Sequence, residues 1–214
     1  MKRVDPKKLK YKNITVSGLP GAGATTLMRL LEKELGWKGY SGGGFMRAYA
    51  LEKGLFKPDH GMHHSATDYE DEFDRKIDYG VRKKLKKESG GIYEAWLSGF
   101  LAQGIDGVLK VLVCCDEDAI RVDRIVNRDR VDVEKAKIHI FEREKKNRSK
   151  WMRMYKKEWG EWVVSVGVMK KDDRIDFWTP ALYDLVIDTY SNSREETLNK
   201  VLEALGFNAK QTDK

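Results

Sequence analysis

Cysteine, proline and histidine are scarce in this chain, at two, four and four residues in 214. The two cysteines, Cys114 and Cys115, are adjacent and close an apolar run. Neighbours in sequence rarely pair with each other, so no disulfide framework is expected; the simple reading is a reduced, cytoplasmic setting, with metal ligation by the pair not favoured. No apolar run reaches the roughly 18 residues of a membrane span. The opening stretch MKRVDPKKLKYK is basic and lacks the apolar segment of a secretory signal. Long blocks of one charge are missing too. The net charge is +7, but 41 basic residues are spread among 34 acidic ones. Such a balance favours a small polyanion, such as a nucleotide, over nucleic acid as the partner. Internal repeats and low-complexity tracts are absent. The length suits one α/β domain with insertions.

One further absence is local. Residues 17–27 read SGLPGAGATTL, which fits the phosphate-cradling pattern G-x-x-x-x-G-K-[ST] everywhere except that Ala24 stands where lysine belongs. The flanks are those the motif requires. NITVS at 13–17 reads as a buried strand, and TTLMRLLEKEL at 25–35 carries Leu27, Leu30, Leu31 and Leu35 on one helical face. Much of such a loop's chemistry is backbone chemistry. Amides from Gly21 through Ala22, Gly23, Ala24, Thr25 and Thr26 can turn inward, and the helix start adds partial positive charge. Glycines such as Gly18, Gly21 and Gly23 let the backbone approach phosphate oxygens. Thr25 can offer its hydroxyl to Mg²⁺. Ala24 removes a mobile charge from the β- and γ-phosphates, where charge develops during transfer. The loop is therefore expected to bind nucleotide and to catalyse poorly unless another cation substitutes.

Strands are expected at 13–17, 37–40, 90–96, 108–115 and 183–189. Helices are expected after the first loop, over FMRAYALEK, over 67–88, over DEDAIRVDRIVNRD, through the charged stretch 128–160, and over SREETLNKVLEALG with Ser193 as its cap. Five strands alternating with helices imply an α/β fold, a parallel sheet with helices on both faces. The residues 161–181, EWVVSVGVMKKDDRIDFWTPA, form extra sequence with a β-hairpin as one reading. Residues 207–214 read as a flexible tail. HGMHH places His60, His63 and His64 in one loop, a pattern that can hold a metal but more often lines a polar surface.

The motifs in order are ITVSGLPGAGATT, YSGGGFMR, IYEAWLSG, RVDRIVNRD, HIFEREKKNRSK and YDLVIDT. Together they resemble the nucleoside monophosphate kinases, most of all the archaeal-type cytidylate kinases, over roughly 13–206. The resemblance implies a three-layer P-loop NTPase fold within a single domain, 1–206. Its core would be 13–54, 90–127 and 182–206, with a monophosphate-binding helical insertion at about 41–89 and a lid at about 128–160. It implies transfer of the ATP γ-phosphate, with Mg²⁺, to CMP or dCMP. By the same resemblance Arg47 grips the acceptor phosphate, with Ser41 and Gly43 beside it. Glu94 lies near Mg²⁺, directly or through water. Arg143 and Lys150 close over the transferring phosphate, and Arg128 sits at the lid's hinge. Asn147 joins Arg143 and Lys150 on one helical face at i, i+4 and i+7. Ala95-Trp96 stands where the family often has Gly-Arg, so a second phosphate cation is missing; Trp96 can instead stack on the acceptor base. The expected assembly is a monomer or weak dimer. Two competing readings are a catalytically impaired nucleotide-binding protein and an RNA-associated P-loop protein.

Overall fold

A computed structural model describes residues 3–52 and 70–207; within the helix at 42–52 the side chains of Arg47, Ala48, Ala50 and Leu51 lie outside the described set. His60, His63 and His64, and the tail from 208, also lie outside the described residues.

The sheet is built on β1 (Asn13–Gly18), every residue of which is buried. Around it lie β2 (Lys38–Ser41), β3 (Gly91–Glu94), β4 (Val108–Cys114) and β5 (Leu185–Asp188). All pairings are parallel, in the order β2-β3-β1-β4-β5. A strand flanked by neighbours on both sides and by helices on both faces is buried throughout; its polar side chains Asn13 and Ser17 are hydrogen-bonded inside, Asn13 to Leu85 O, Glu88 O and Gly91 N–H and Ser17 to Ser98 and Gly99 N–H.

The helices are α1 (Ala24–Leu35), α2 (Gly42–Glu52), α3 (Asp71–Lys87), α4 (Ser98–Leu101), α5 (Asp118–Asp129), α6 (Val133–Lys137), α7 (Arg143–Met154), α8 (Lys156–Trp159) and α9 (Arg194–Leu205). On one face of the sheet, Leu27, Leu31 and Leu35 of α1 and Val201, Leu202 and Leu205 of α9 pack on Ile14, Val16 and Val111. The helix α9 opens with a reciprocal cap, Ser193 to Glu196 and back, so Ser193 caps it as the sequence predicts.

On the other face lies an aromatic core of Phe100, Trp151, Tyr155, Trp159, Trp162, Phe177 and Trp178. Segment 161–181 feeds this core. It forms no hairpin: a π-helical turn, Gly160–Val164, is followed by turns and a short 3₁₀ turn, Pro180–Leu182. Trp162, Val163, Phe177 and Trp178 are too large and apolar to leave in water, and burying them outweighs any strand preference.

From Val133 to Val164 the chain is one helical arm, interrupted by π-turns at Ile138–Glu142 and Gly160–Val164. It runs parallel to α3 and is laced to it. Asp71 meets Arg153 at 3.1 Å and Lys150 at 3.5 Å. Asp74 meets Lys150 at 2.8 Å, Arg75 pairs with Glu158, and the Tyr155 hydroxyl donates to Asp78. The Tyr79 hydroxyl donates to Glu158 at 2.9 Å, and the Arg82 guanidinium lies 3.9 Å over Trp162. The stretch 128–160 looks poor in apolar surface from its charge, yet its second half is core.

Candidate active site

The loop between β1 and α1 lies at the carboxyl end of the central strand, the place where parallel α/β sheets bind ligands. Its glycines are sterically required. A Cβ on Gly18 would come within 2.8 Å of Val113 Cγ2 and 2.9 Å of its carbonyl oxygen. Gly21 has φ +81° and a Cβ there would lie 2.7 Å from the Arg121 carbonyl oxygen; Gly23 has φ +99°. The first helical bond runs from Leu27 N–H to Gly23 O, at 3.0 Å. The amides of Ala24, Thr25 and Thr26 thus have no carbonyl within α1 to bond and face its N-terminal side, where the helix dipole is positive. Ala22 differs from the other loop residues: its N–H donates to Leu19 O at 3.0 Å and its side chain is buried. The Ala24 side chain is also core.

Three residues that the sequence reading passed over brace this loop. The Arg124 guanidinium donates to Gly21 O at 3.0 Å, to Thr189 Oγ1 at 2.8 Å and to Thr189 O at 2.9 Å. The Thr189 hydroxyl reaches Ala22 O at 2.8 Å. Arg121 Nε donates to Pro20 O at 3.1 Å. The signal was present: RVDRIVNRD puts Arg121, Arg124 and Arg128 at i, i+3 and i+7, one helical face. Arg128 itself is exposed and bonds Asp129 through Nε and Nη2, at 2.7 and 2.8 Å.

At the end of β3, Glu94 is 9% exposed and accepts from Ser41 Oγ at 2.6 Å. Ser41 also accepts from Gly44 N–H at 3.1 Å, so it caps α2, the helix that carries Gly43 and Arg47. Register brings this about, since Ser41 lies opposite Glu94. Two residues on, Trp96 has the Arg143 guanidinium 5.2 Å above its ring. Its edges meet Trp151 at 5.4 Å and Trp178 at 6.2 Å.

Along α7, Arg143 reaches this strand end, but Lys150 does not accompany it. Lys150 is buried with its amine between Asp74 and Asp71, and Asn147, one helical turn before it, is buried at 1% exposure. Burial raises the Asp74 pKa, against the lowering pull of Lys150. Burial also pushes Asp78 up to about 7.

Cys114, Asp116 and Asp188 offer ligand atoms within 4.8 Å of one another. The Asp188 carboxylate is already committed to Tyr190 N–H, Ser191 N–H and the Ser191 hydroxyl. Burial pushes the Cys114 thiol up to about 11, away from the thiolate a metal needs. Both cysteines are free thiols. No helix among the described residues is long and apolar enough to cross a membrane.

A family model described as the cytidylate kinase-like family matches residues 13–191. A cytidylate kinase of Pyrococcus abyssi is 32% identical over 187 residues, covering 85% of this chain and 87% of that relative. A cytidylate kinase of Archaeoglobus fulgidus is 28% identical over 192 residues, covering 90% and 93%. A shikimate kinase from Acinetobacter baumannii, solved with shikimate, aligns with a TM-score of 0.50 at 13% identity, covering 98% of this chain and 100% of that one. This last likeness is one of α/β fold.

Proposed function

The chain belongs to the cytidylate kinase-like family, and on that premise we propose that it is a nucleoside monophosphate kinase that moves the ATP γ-phosphate to CMP or dCMP. The observation that carries the reading is the glycine-shaped loop at 18–23, set under the amides of α1 within a family match over 13–191.

Transfer of a phosphoryl group asks mainly for positioning and for cations around the equatorial oxygens. In this reading the backbone from Gly18 to Thr26 holds the donor's phosphates, chiefly through the amides of Ala24, Thr25 and Thr26, with the Ala22 N–H kept by Leu19 O. Arg121 and Arg124 keep the loop rigid from behind, which preserves the inward set of its amides. The helix α2, capped by Ser41, presents Gly43 and Arg47 to the acceptor phosphate. Arg143 supplies a guanidinium from the arm to the transferring group. Arg128 and Lys150, bound to carboxylates here, would join it only by exchanging those partners for phosphate.

The oxygen donors Thr25 and Glu94 suit Mg²⁺, a hard cation. Glu94 fits it further as a nearly buried carboxylate with one oxygen bonded to Ser41. These two would hold the ion, which supplies charge neutralisation on the phosphates.

Ala24 favours a second reading, a nucleotide-binding protein with impaired transfer. One assay separates the two: MgATP with each common nucleoside monophosphate, using the chain and its Ala24→Lys variant. Transfer to cytidine acceptors by either protein supports the kinase. Failure of both on every acceptor, with ATP binding retained, favours the second reading.

A further inference from the structure

Segment 161–181 has no counterpart in the motifs that carry the family resemblance, and Trp96 stands where that family often has arginine. The structure joins these two departures. Trp96, Trp151 and Trp178 contact one another at 5.4, 6.2 and 6.3 Å between ring centroids. Trp151 comes from α7 and Trp178 from the extra segment. Each outer ring carries a guanidinium: Arg143 at 5.2 Å over Trp96 and Arg148 at 4.3 Å over Trp178.

Arg148 donates to Glu144 at 3.1 Å and to Asp176 at 3.0 Å, with its face on Trp178. It is a clamp that fixes α7 to the extra segment. Arg143 lies with its guanidinium over Trp96, two residues beyond Glu94. A ring attracts a guanidinium through its negative face and takes up none of its N–H donors. The choice of tryptophan also fits. The Trp178 indole N–H is buried with no acceptor among the described residues. Phenylalanine would fill apolar space without that orphan donor, but indole is the better face for a cation.

We infer that Trp96, with Trp151 and Trp178 beneath it, is a positioning platform that holds the Arg143 guanidinium for phosphoryl transfer, and that segment 161–181 completes this platform. The inference rests on the kinase reading above. The position that lacks the strand-end arginine thereby supplies an aromatic surface that aligns the arginine of the arm.

The test uses Trp96→Leu, which keeps an apolar side chain and removes the ring, and Trp96→Phe, which keeps a ring face. Both are made in the full chain and in its Ala24→Lys variant. A positioning role predicts that Trp96→Leu lowers kcat by about tenfold, the scale of a desolvated cation–π contact, with both KM values little changed. Trp96→Phe should recover most of the loss. In an Arg143→Ala background, Trp96→Leu should have no further effect on kcat.

If Trp96→Leu instead raises the acceptor KM and alters base preference with kcat unchanged, Trp96 stacks on the base and the inference is wrong. Multiplying effects of Trp96→Leu and Arg143→Ala would also overturn it. Should Trp96→Leu fail to fold, Trp96→Met takes its place, which fills more of the space and likewise removes the ring, with a similar kcat loss and the same masking by Arg143→Ala. A readout free of activity is the Arg143 Nε–H resonance. It should be shifted upfield by the indole ring in the free protein, keep part of that shift in Trp96→Phe and lose it in Trp96→Leu. An Arg143 resonance unmoved by Trp96→Leu overturns the platform alone. Absence of transfer by both the chain and Ala24→Lys overturns the kinase reading, and with it the catalytic sense of the platform.

Discussion

Restoring the missing lysine is the most direct perturbation, and the structure sets its scale. Ala24 is the first residue of α1 and is 7% exposed, packed in the core beneath the loop. A lysine stem must leave that packed base before its ammonium reaches the mouth of the loop. There it adds one charged hydrogen bond to the phosphates, worth about 1.5–3 kcal/mol. Ordering the stem offsets part of this, by up to about 2 kcal/mol on entropy scales. The net gain in triphosphate binding is then near 1.4 kcal/mol, or about tenfold in Kd. Without ligand the sign reverses. A buried-stem cation at a helix N-terminus opposes the dipole by about 0.3–1 kcal/mol. Ala24→Lys should therefore melt at a lower temperature than the parent alone and gain more than the parent from MgATP. Calorimetric titration with ATP, ADP and AMP, and melting curves with and without nucleotide, measure both. The gain should be larger for ATP than for AMP, because the lysine would address the outer phosphates. An unchanged ATP affinity in a folded Ala24→Lys protein would refute the reasoning, as would equal gains for ATP and AMP.

Arg47→Ala should raise the acceptor KM strongly and leave ATP binding nearly unchanged; loss of ATP affinity with the acceptor unaffected would reject the assignment. Asp78→Asn should stabilise the protein near pH 8 and change little near pH 4. Its carboxyl is raised from an ordinary value near 3.9 to about 7, chiefly by burial. The protonated form is thus the favoured folded form, and its contribution is full below about pH 4 and lost as pH rises through about 7. Equal shifts in melting temperature at both pH values would contradict this. Amide exchange should be faster over 128–149 than over 151–164, since Trp151, Tyr155, Trp159 and Val163 are core. Donor and acceptor together, or a linked bisubstrate analogue, should protect 128–149; uniform protection without ligand would remove the case for a lid there.

The five strands and the flanking helices were legible because their signals are local. Continuous β-branched runs mark strands buried on both faces, and Leu27, Leu31 and Leu35 mark a helix with one buried side. The short α4 was not foreseen. SGFL is too brief for periodicity, and it is fixed by distant partners: Gly99 N–H donates to Ser17 at 2.9 Å, and a Cβ on Gly99 would strike the Tyr183 ring. The extra segment was misjudged for a related reason. A β-hairpin was one reading of it, but the large rings had an aromatic core to enter, and tertiary burial overrode local preference.

Among the site residues, glycines were readable and cations were not. A glycine's constraint is steric and follows from its place between strand and helix. A cation on a helix face has two destinations, a ligand or a carboxylate on a neighbouring helix, and sequence spacing is the same for both. Arg143 and Lys150 share a face by spacing. The structure sends one to Trp96 and the other to Asp74, because α3 runs parallel to the arm with its acids at 71, 74 and 78. That lacing bears on how the arm can move. A buried Lys150 pulled from Asp74 would leave a carboxylate uncompensated, a loss of about 3–5 kcal/mol. A closure that draws Lys150 to phosphate must therefore offer Asp74 a new partner, whereas one that leaves the pair intact carries α3 along with the arm. The second course needs no ion pair to break. It would move α3, within the acceptor insertion, together with the arm that carries Arg143, so acceptor and transferring phosphate would be enclosed in one motion.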